Sequence, residues 1–317
     1  MPNDALVSVA VVQAASVLFD REGCVDKAVH LTQEAASQGA QLVLFPEAFI
    51  PCYPRGLTFG MAIGSRSPQG RELWELCWNN SVTIPGPVTE ALGEATRAAG
   101  VTLAIGVIER DTDFSCGTLF CTLVYIGPDG QVLGKHRKLK PSGAERMIWG
   151  EGDGSTLTVI TTDLGRIGGL ICWENYMPLA RTAMYAKGVE FYLAPTADAR
   201  DIWQATLRHI AYEGRCFVLG CNQFVTRDMY PSKLPASHEL KSQPEVMCRG
   251  GSAIVSPTGQ VLAGPMYDQE GILYAKLDRS DLVRSKVDLD VVGHYARSDV
   301  LQLLVDERPK PPMRGYS

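Results

Sequence analysis

The sequence predicts an α/β protein in which two mixed β-sheets pack face to face, with helices on the outer faces. Apolar runs of strand length alternate with amphipathic helical stretches along most of the chain. Hairpin signals interrupt this alternation, which indicates antiparallel pairing in addition to parallel pairing. A chain of 317 residues with 45% hydrophobic content is long enough to form one large domain. We expect that domain to span residues 1–306.

The N-terminal third alternates strands with helices. Apolar runs predict strands at residues 6–14, 41–45 and 101–107. Residues 22–39 and 87–99 carry apolar side chains at helical spacing, and a glycine ends each of these stretches. These five segments form two successive strand–helix units, which favour parallel pairing of their strands.

Turn sequences predict hairpins in the middle of the chain. Strands 119–126 and 131–135 flank a Gly-Pro-Asp-Gly turn, and strands 156–161 and 167–172 flank Asp-Leu-Gly-Arg. The remaining predicted elements are helices 178–187 and 202–214, strands 189–193, 217–222 and 252–255, and a third hairpin turn at 256–259.

Three segments do not follow this pattern. Residues 51–80 and 226–249 are long, polar and aromatic, with scattered proline and serine. Long loops in a compact domain are usually functional, so we expect lids, substrate walls or contact surfaces there. Residues 307–317 are rich in proline, arginine and lysine, which predicts a disordered tail.

Composition excludes several classes of function. A net charge of −5 and the absence of a basic block argue against nucleic-acid binding. No apolar stretch reaches about 18 residues, and the N-terminus lacks the basic region of a secretory signal, so no membrane contact is expected. Nine cysteines without regular spacing or zinc-type pairs predict reduced thiols, a cytoplasmic location and no metal site.

Three apolar runs end in reactive side chains. Cys172 ends the predicted strand 167–172 and precedes polar and aromatic residues, although most free cysteines are simply small buried hydrophobic residues. Glu47 follows the strand 41–45, where partial burial would raise its pKa and make it a usable general base. A thiolate nucleophile also needs a nearby cation or base.

The cation can come from a basic run after the strand 131–135. Lys135, Lys138 and Lys140 all lie in this run, and spacing alone does not choose between them or exclude a solvated turn. Glu145 follows a few residues later and reads equally well as a capping carboxylate. The histidines are scattered, so nothing in their spacing supports a papain-like Cys–His pair.

Seven ordered motifs together resemble the nitrilase family, the nitrile-cleaving branch of the carbon–nitrogen hydrolases. They are LFPEAFIPCYPRG (44–56), KHRKL (135–139), ERMIWG (145–150), GDGST (152–156), CWENYMP (172–178), APTAD (194–198) and GHYARSD (293–299). The resemblance runs from about residue 7 to residue 304, which is nearly the whole chain.

The resemblance implies a fold and a catalytic set. The fold is the four-layer α-β-β-α sandwich, and the Glu-Lys-Cys triad falls on Glu47, Lys138 and Cys172, with Glu145 as an auxiliary glutamate. The resemblance also implies homodimers that extend into larger assemblies. Cys52 departs from the usual small residue, and Lys140 adds a cation beside the site.

The implied reaction is hydrolysis of an organic nitrile to the carboxylic acid and ammonia, with an amide as a possible by-product. It proceeds by attack of a thiol and two additions of water, and needs no metal or cofactor. The same residues would serve an amidase or a cyanide-hydrolysing enzyme, and a catalytically silent scaffold is the alternative outside enzymes. Among larger side chains near these motifs, we expect Tyr53, Trp173, Met177 and Tyr192 to wall the substrate pocket.

Overall fold

The computed structural model describes residues 6–115 and 117–311. The strands are β1 (Leu6–Gln13), β2 (Leu42–Leu44), β3 (Met61–Ala62), β4 (Ser65–Arg66), β5 (Thr102–Arg110), β6 (Leu119–Ile126), β7 (Val132–Arg137), β8 (Val159–Thr162), β9 (Gly165–Gly169), β10 (Phe191–Pro195), β11 (Phe217–Cys221), β12 (Phe224–Thr226), β13 (Val246–Val255), β14 (Val261–Tyr267) and β15 (Gly271–Asp278). The helices are α1 (Arg21–Ser37), α2 (Pro68–Asn80), α3 (Pro87–Ala99), α4 (Pro178–Ala186), α5 (Ile202–Gly214) and α6 (Ser280–Ser285).

Two mixed sheets organise these elements. The first has the strand order β15-β1-β2-β5-β6-β7, in which β1, β2 and β5 run parallel and the other pairs are antiparallel. The second has the order β12-β13-β11-β10-β9-β8, with β14 also paired to β13; only β9, β10 and β11 run parallel. The predicted hairpins are confirmed as the pairs β6–β7, β8–β9 and β13–β14.

Three apolar clusters define the layers. Side chains of β1 alternate, so Val9 and Val11 face the second sheet while Ala10 and Val12 face α1 and α3. The inter-sheet cluster joins strands of both sheets, and a third cluster packs α4 and α5 against the outer face of the second sheet. Helix, sheet, sheet and helix therefore follow one another, which confirms the predicted four-layer sandwich.

The two segments expected to be long loops contain regular structure. Residues 51–80 hold the β3–β4 ribbon and the helix α2, whose N-terminus is capped by the Ser67 hydroxyl oxygen accepting from Gly70 N. Residues 226–249 hold short 3₁₀ helices at Arg227–Met229 and Ser237–Ser242 and then the first part of β13. The prediction of loops was wrong there because polar and aromatic residues hid the local helical spacing.

The C-terminal tail contacts the domain where it is described. Glu307 forms an ion pair with Lys187, and the backbone N–H of Lys310 donates to Asp153 Oδ2 at 2.7 Å. Residues 307–311 therefore make polar contacts with the rest of the chain, and disorder of the tail stays a prediction. Residues 312–317 of the predicted tail lie outside the described residues.

None of the described helices has the length and apolar character needed to cross a membrane. Eight cysteines lie in the described part of the chain, and all eight are buried and free of disulfides.

Candidate active site

Lys138 lies between two carboxylates at one end of the inter-sheet core. Its Nζ is 2.7 Å from Glu47 Oε1 and 2.7 Å from Glu145 Oε2. All three side chains are buried, with Lys138 and Glu47 at 0% side-chain exposure and Glu145 at 8%. Glu47 follows β2 and Lys138 follows β7, so both come from the first sheet. The structure brings together the three charged residues that the sequence singled out.

Strand alternation selects Lys138 from the basic run. His136 and Lys138 point inward and are fully buried. Lys135 points the other way and binds Glu109 at 2.6 Å, as does Arg137. Lys140 pairs with Glu151 and is about half exposed. The other two lysines therefore neutralise carboxylates away from the triad.

The pKa values of Glu47 and Lys138 are both raised, but for different reasons. Burial raises the pKa of Glu47 above its ordinary value, and Lys138 only partly opposes this. Burial alone would lower the pKa of Lys138, but Glu47 and its other anionic neighbours raise it well above its ordinary range. Lys138 therefore stays an ammonium, whereas Glu47 is a stronger base than a solvated carboxylate.

Cys172 faces this group from the second sheet. Strand β9 ends at Gly169, so the prediction of a strand up to residue 172 was wrong at its end. Cys172 instead begins a 3₁₀ helix, Cys172–Tyr176, with a left-handed φ of 53°. A non-glycine residue in that region is strained, and such strain is concentrated at functional positions. The turn leaves the sulfur in the cavity, and Thr196 Oγ1 donates to it at 3.3 Å.

The Cys172 thiol is protonated in the resting site. Burial, together with the Glu47 carboxylate, raises the pKa of Cys172 to about 12, and Lys138 opposes the increase. A buried thiol of this kind attacks only if a base removes its proton during the reaction. Glu47 is the base in place: its Oε2 is buried with no hydrogen-bond partner among the described residues.

Glu174 connects the cysteine turn to the lysine segment. Its carboxylate accepts from Leu139 N at 2.6 Å and from Ile171 N at 2.8 Å, so it binds next to Lys138 and next to Cys172. His136 Nε2 lies 3.0 Å from Glu174 Oε2. Burial alone would lower the pKa of His136, but Glu174 raises it above its ordinary value, which favours an ionic contact. One fully buried carboxylate thus fixes the relative position of the two sheets at the site.

Two further residues shape the turn that carries Glu47. The Cys121 thiol donates to Glu47 Oε1 at 3.6 Å. Gly106 lies on the neighbouring strand β5, where an added Cβ would come within 2.2 Å of Pro46 O and 2.7 Å of Glu47 Cα. Only glycine permits this close approach. The roles of Gly106, Cys121 and Glu174 were not predictable from the sequence, since they depend on contacts between distant segments. A glutamate directly after Cys172-Trp173 was the one available signal.

A cavity of about 710 Å³ opens above the sulfur. Tyr53 and Trp173, two of the four residues expected to wall a substrate pocket, line this cavity. Tyr53 also donates to Glu145 Oε1 at 2.6 Å, and burial raises the pKa of Tyr53 well above its usual range, so it stays a neutral donor. The lining of the cavity therefore includes a phenol, an indole and the Glu145 carboxylate together with the Cys172 thiol.

Two predicted wall residues do not line this cavity. Tyr192 is completely buried, and its hydroxyl donates to Asn175 Oδ1 at 2.8 Å. Because side chains alternate along β10, Tyr192 faces the α4–α5 layer while Phe191 and Leu193 face the inter-sheet core. Met177 lies just before α4, 39% exposed, and is absent from the cavity lining. The structure therefore places neither of these two expected wall residues in the lining of this cavity.

No cluster of side chains suited to a metal ion occurs within residues 6–115 and 117–311. The lysine between two carboxylates supplies the positive charge of the site, and its ammonium donates to Glu47 and to Glu145. The site resolved here contains a thiol, a base and a cation within one buried group.

Comparison with known proteins identifies the family. The carbon–nitrogen hydrolase profile matches residues 8–286. Two solved structures share the fold at 20% identity: the C. elegans NitFhit protein (TM-score 0.73, covering 97% of this chain and 69% of that one) and an amidase from Nesterenkonia sp. (TM-score 0.64, 89% and 94%). The chain therefore belongs to the carbon–nitrogen hydrolase family.

Closer relatives narrow this class to its nitrile-cleaving branch. The chain is 53% identical to an aliphatic nitrilase of Sinorhizobium fredii (95% of this chain, 96% of the relative). It is 50% identical to a bifunctional nitrilase/nitrile hydratase of Lupinus angustifolius (98% and 89%) and 46% identical to nitrilase 2 of Arabidopsis thaliana (99% and 93%). These identities confirm the resemblance to nitrilases that the motifs indicated.

Proposed function

We propose that this protein hydrolyses an organic nitrile to the carboxylic acid and ammonia, with Cys172 as the nucleophile. About half of the residues are identical to those of nitrilases over nearly the full chain, which supports the reaction. The observation that carries the assignment of roles is the contact of Lys138 with two buried carboxylates beside the strained Cys172.

In the first half of the reaction, Glu47 takes the proton of the Cys172 thiol as the sulfur attacks the nitrile carbon. One π bond of the nitrile becomes a lone pair on nitrogen, and Glu47 passes the thiol proton to this nitrogen, which gives a thioimidate and restores the carboxylate. Lys138 and the backbone N–H of Trp173 stabilise the negative charge that develops on nitrogen. That N–H belongs to the first turn of a 3₁₀ helix, where donors have no partner within the helix.

In the second half, Glu47 activates a water that adds to the thioimidate carbon. The tetrahedral product loses ammonia to leave a thioester, and a second water cleaves the thioester to release the acid and restore the thiol. If the sulfur leaves the tetrahedral product before ammonia does, the amide is released instead. We propose that Glu145 keeps Lys138 oriented and that Tyr53 in turn holds Glu145.

The amide branch has support among the relatives. Five of the similar plant proteins carry both activities in their names, nitrilase and nitrile hydratase. We propose that this chain likewise releases an amide by-product from some of its nitrile substrates. The fraction of amide depends on which group, ammonia or the Cys172 sulfur, leaves the tetrahedral carbon first.

Cys172→Ala tests the assignment directly. We expect complete loss of ammonia, acid and amide release from aliphatic, aromatic and arylaliphatic nitriles, with an unchanged circular dichroism spectrum. Cys216→Ala is the matched control, because Cys216 is also a fully buried free thiol but lies in the α4–α5 layer. Turnover by Cys172→Ala, or equal loss in Cys216→Ala, would overturn the assignment.

We also propose a homodimer or larger homo-oligomer of a single domain spanning 1–306, located in the cytoplasm. Large apolar side chains of the C-terminal segment are exposed in the single chain, among them Val283, Val287, Tyr295, Leu301 and Leu304. The eight buried thiols, all unpaired, support a reducing location. Light scattering of the purified protein tests the assembly, and a monomer at micromolar concentration would refute it.

A further inference from the structure

A guanidinium group lies in the wall of the catalytic cavity. Arg55 lines the same cavity as Cys172 and Trp173. Its guanidinium carbon lies 5.2 Å from the centre of the Tyr53 ring, and its Nη2 donates to the backbone oxygen of Ala197. These contacts hold the side chain in the partly buried wall rather than in solvent.

Arg55 differs from the other arginines of the cavity. Arg200 is paired with Asp198, and Arg249 lies 3.1 Å from Asp268. Across residues 6–115 and 117–311, no carboxylate lies within ion-pair distance of Arg55. A charge in such a position is costly unless something compensates it.

The ionisable side chains that act most strongly on the Arg55 charge are Cys248, Tyr53, Tyr230 and Cys172, and none of them is a carboxylate. The carboxylates of Glu47 and Glu145 are bound to Lys138 rather than to Arg55. A carboxylate on the substrate would supply the missing counter-charge, and guanidinium binds carboxylates in a two-pronged geometry.

We propose that the preferred substrates are nitriles that carry a carboxylate, and that Arg55 binds this carboxylate while the nitrile lies at Cys172. The inference rests on nitrile hydrolysis at Cys172. Ala197, Ala199 and Met247 also line this cavity, and their apolar atoms suit a short aliphatic chain. Glu47 and Glu145 repel an anion, so Arg55 is the group that makes such a substrate acceptable.

The test compares cyanoacetate and its longer ω-cyano homologues with neutral nitriles in which an isopropyl group replaces the carboxylate. These pairs have the same shape and differ in charge. The wild-type enzyme should show the lower KM for one or more of the acids. Arg55→Met should raise the KM for those acids by about 10- to 100-fold, the value of a hydrogen bond to a charged group. The KM of the isopropyl partners should not change.

Arg55→Lys should recover part of the loss, because it keeps the charge but not the planar fork. Arg66→Met is the matched control: Arg66 donates to the carbonyl oxygens of Ala62 and Ser65 and lies outside this cavity. We expect wild-type KM values for both classes in that variant.

Two results would overturn the inference. If Arg55→Met raises KM equally for acids and isopropyl partners, Arg55 only fixes the Ala197 segment. If the wild-type enzyme favours the isopropyl partner at every chain length, the cavity does not select carboxylates. In either case, turnover of the neutral nitriles would still support the proposal of nitrile hydrolysis at Cys172. If no nitrile at all is turned over, both proposals are refuted.

Discussion

Replacing Glu174 by glutamine should separate stability from catalysis at this site. The carboxylate accepts three hydrogen bonds, from Leu139 N, Ile171 N and His136 Nε2. A glutamine with its oxygen at the Oε2 position keeps two of them. Its amide nitrogen then faces the N–H of Leu139, and two donors oppose each other.

The magnitude follows from the group left without a partner. A buried donor that loses its acceptor costs about 1–3 kcal/mol, so we expect Glu174→Gln to lower the free energy of unfolding by about 2 kcal/mol. Leu139 directly follows Lys138 in the chain, so the same change displaces the ammonium. A misplacement of about 1 Å costs on the order of 100-fold in rate, and we expect a loss of that size in kcat.

Urea denaturation and steady-state ammonia release measure the two effects in the same preparation. Glu213→Gln is the control, because Glu213 also accepts three hydrogen bonds, from Arg181 and Tyr185, but lies in the outer helical layer. It should lose stability while retaining kcat. A Glu174→Gln enzyme that is less stable but has wild-type kcat would show that Glu174 does not position Lys138.

Three other changes follow from the same geometry. Gly106→Ala should lower kcat by about 100-fold, because the Cβ of the new alanine would displace the backbone of Glu47. A wild-type kcat in this variant would refute the close approach. Lys138→Met should lose several orders of magnitude in kcat/KM with the fold retained, measured by ammonia release and circular dichroism; near-normal rates would contradict the role of this cation. Because the pKa of Glu47 is raised from 4.5 and its ionised form is the base, kcat/KM should fall with decreasing pH through a pKa above 4.5; an acid limb at or below 4.5 would contradict this.

The fold was largely predictable because its local signals agree with its tertiary contacts. Helix α3 spans the predicted residues, since Pro87 occupies its first turn and Gly100 ends it in the left-handed conformation. Helix α2 was missed although Ser67 and Pro68 carry the same kind of start signal. There the apolar residues that reach the core are few and lie among charged and aromatic neighbours.

The site was predictable only in part. Reactive residues at the ends of apolar runs marked Glu47 and Cys172, but the choice of Lys138 needed the family resemblance. The physical reason is the alternation of side chains along β7, which places His136 on the inner face. Lys138, directly after the strand, continues this alternation and is also buried. Tyr192 was expected at the substrate pocket but lies in the α4–α5 layer. Its strand lies between two apolar layers and is buried on both faces, so the composition of the strand does not tell which face meets the cavity.

Because the triad is divided between the two sheets, the catalytic activity depends on how the sheets pack against each other. Glu47 and Lys138 move with the first sheet and Cys172 with the second, and the apolar cluster between them sets their separation. A state that keeps both sheets but loosens their packing would retain its far-ultraviolet spectrum and lose its chemistry. On gradual denaturation, ammonia release should therefore disappear before the secondary structure does.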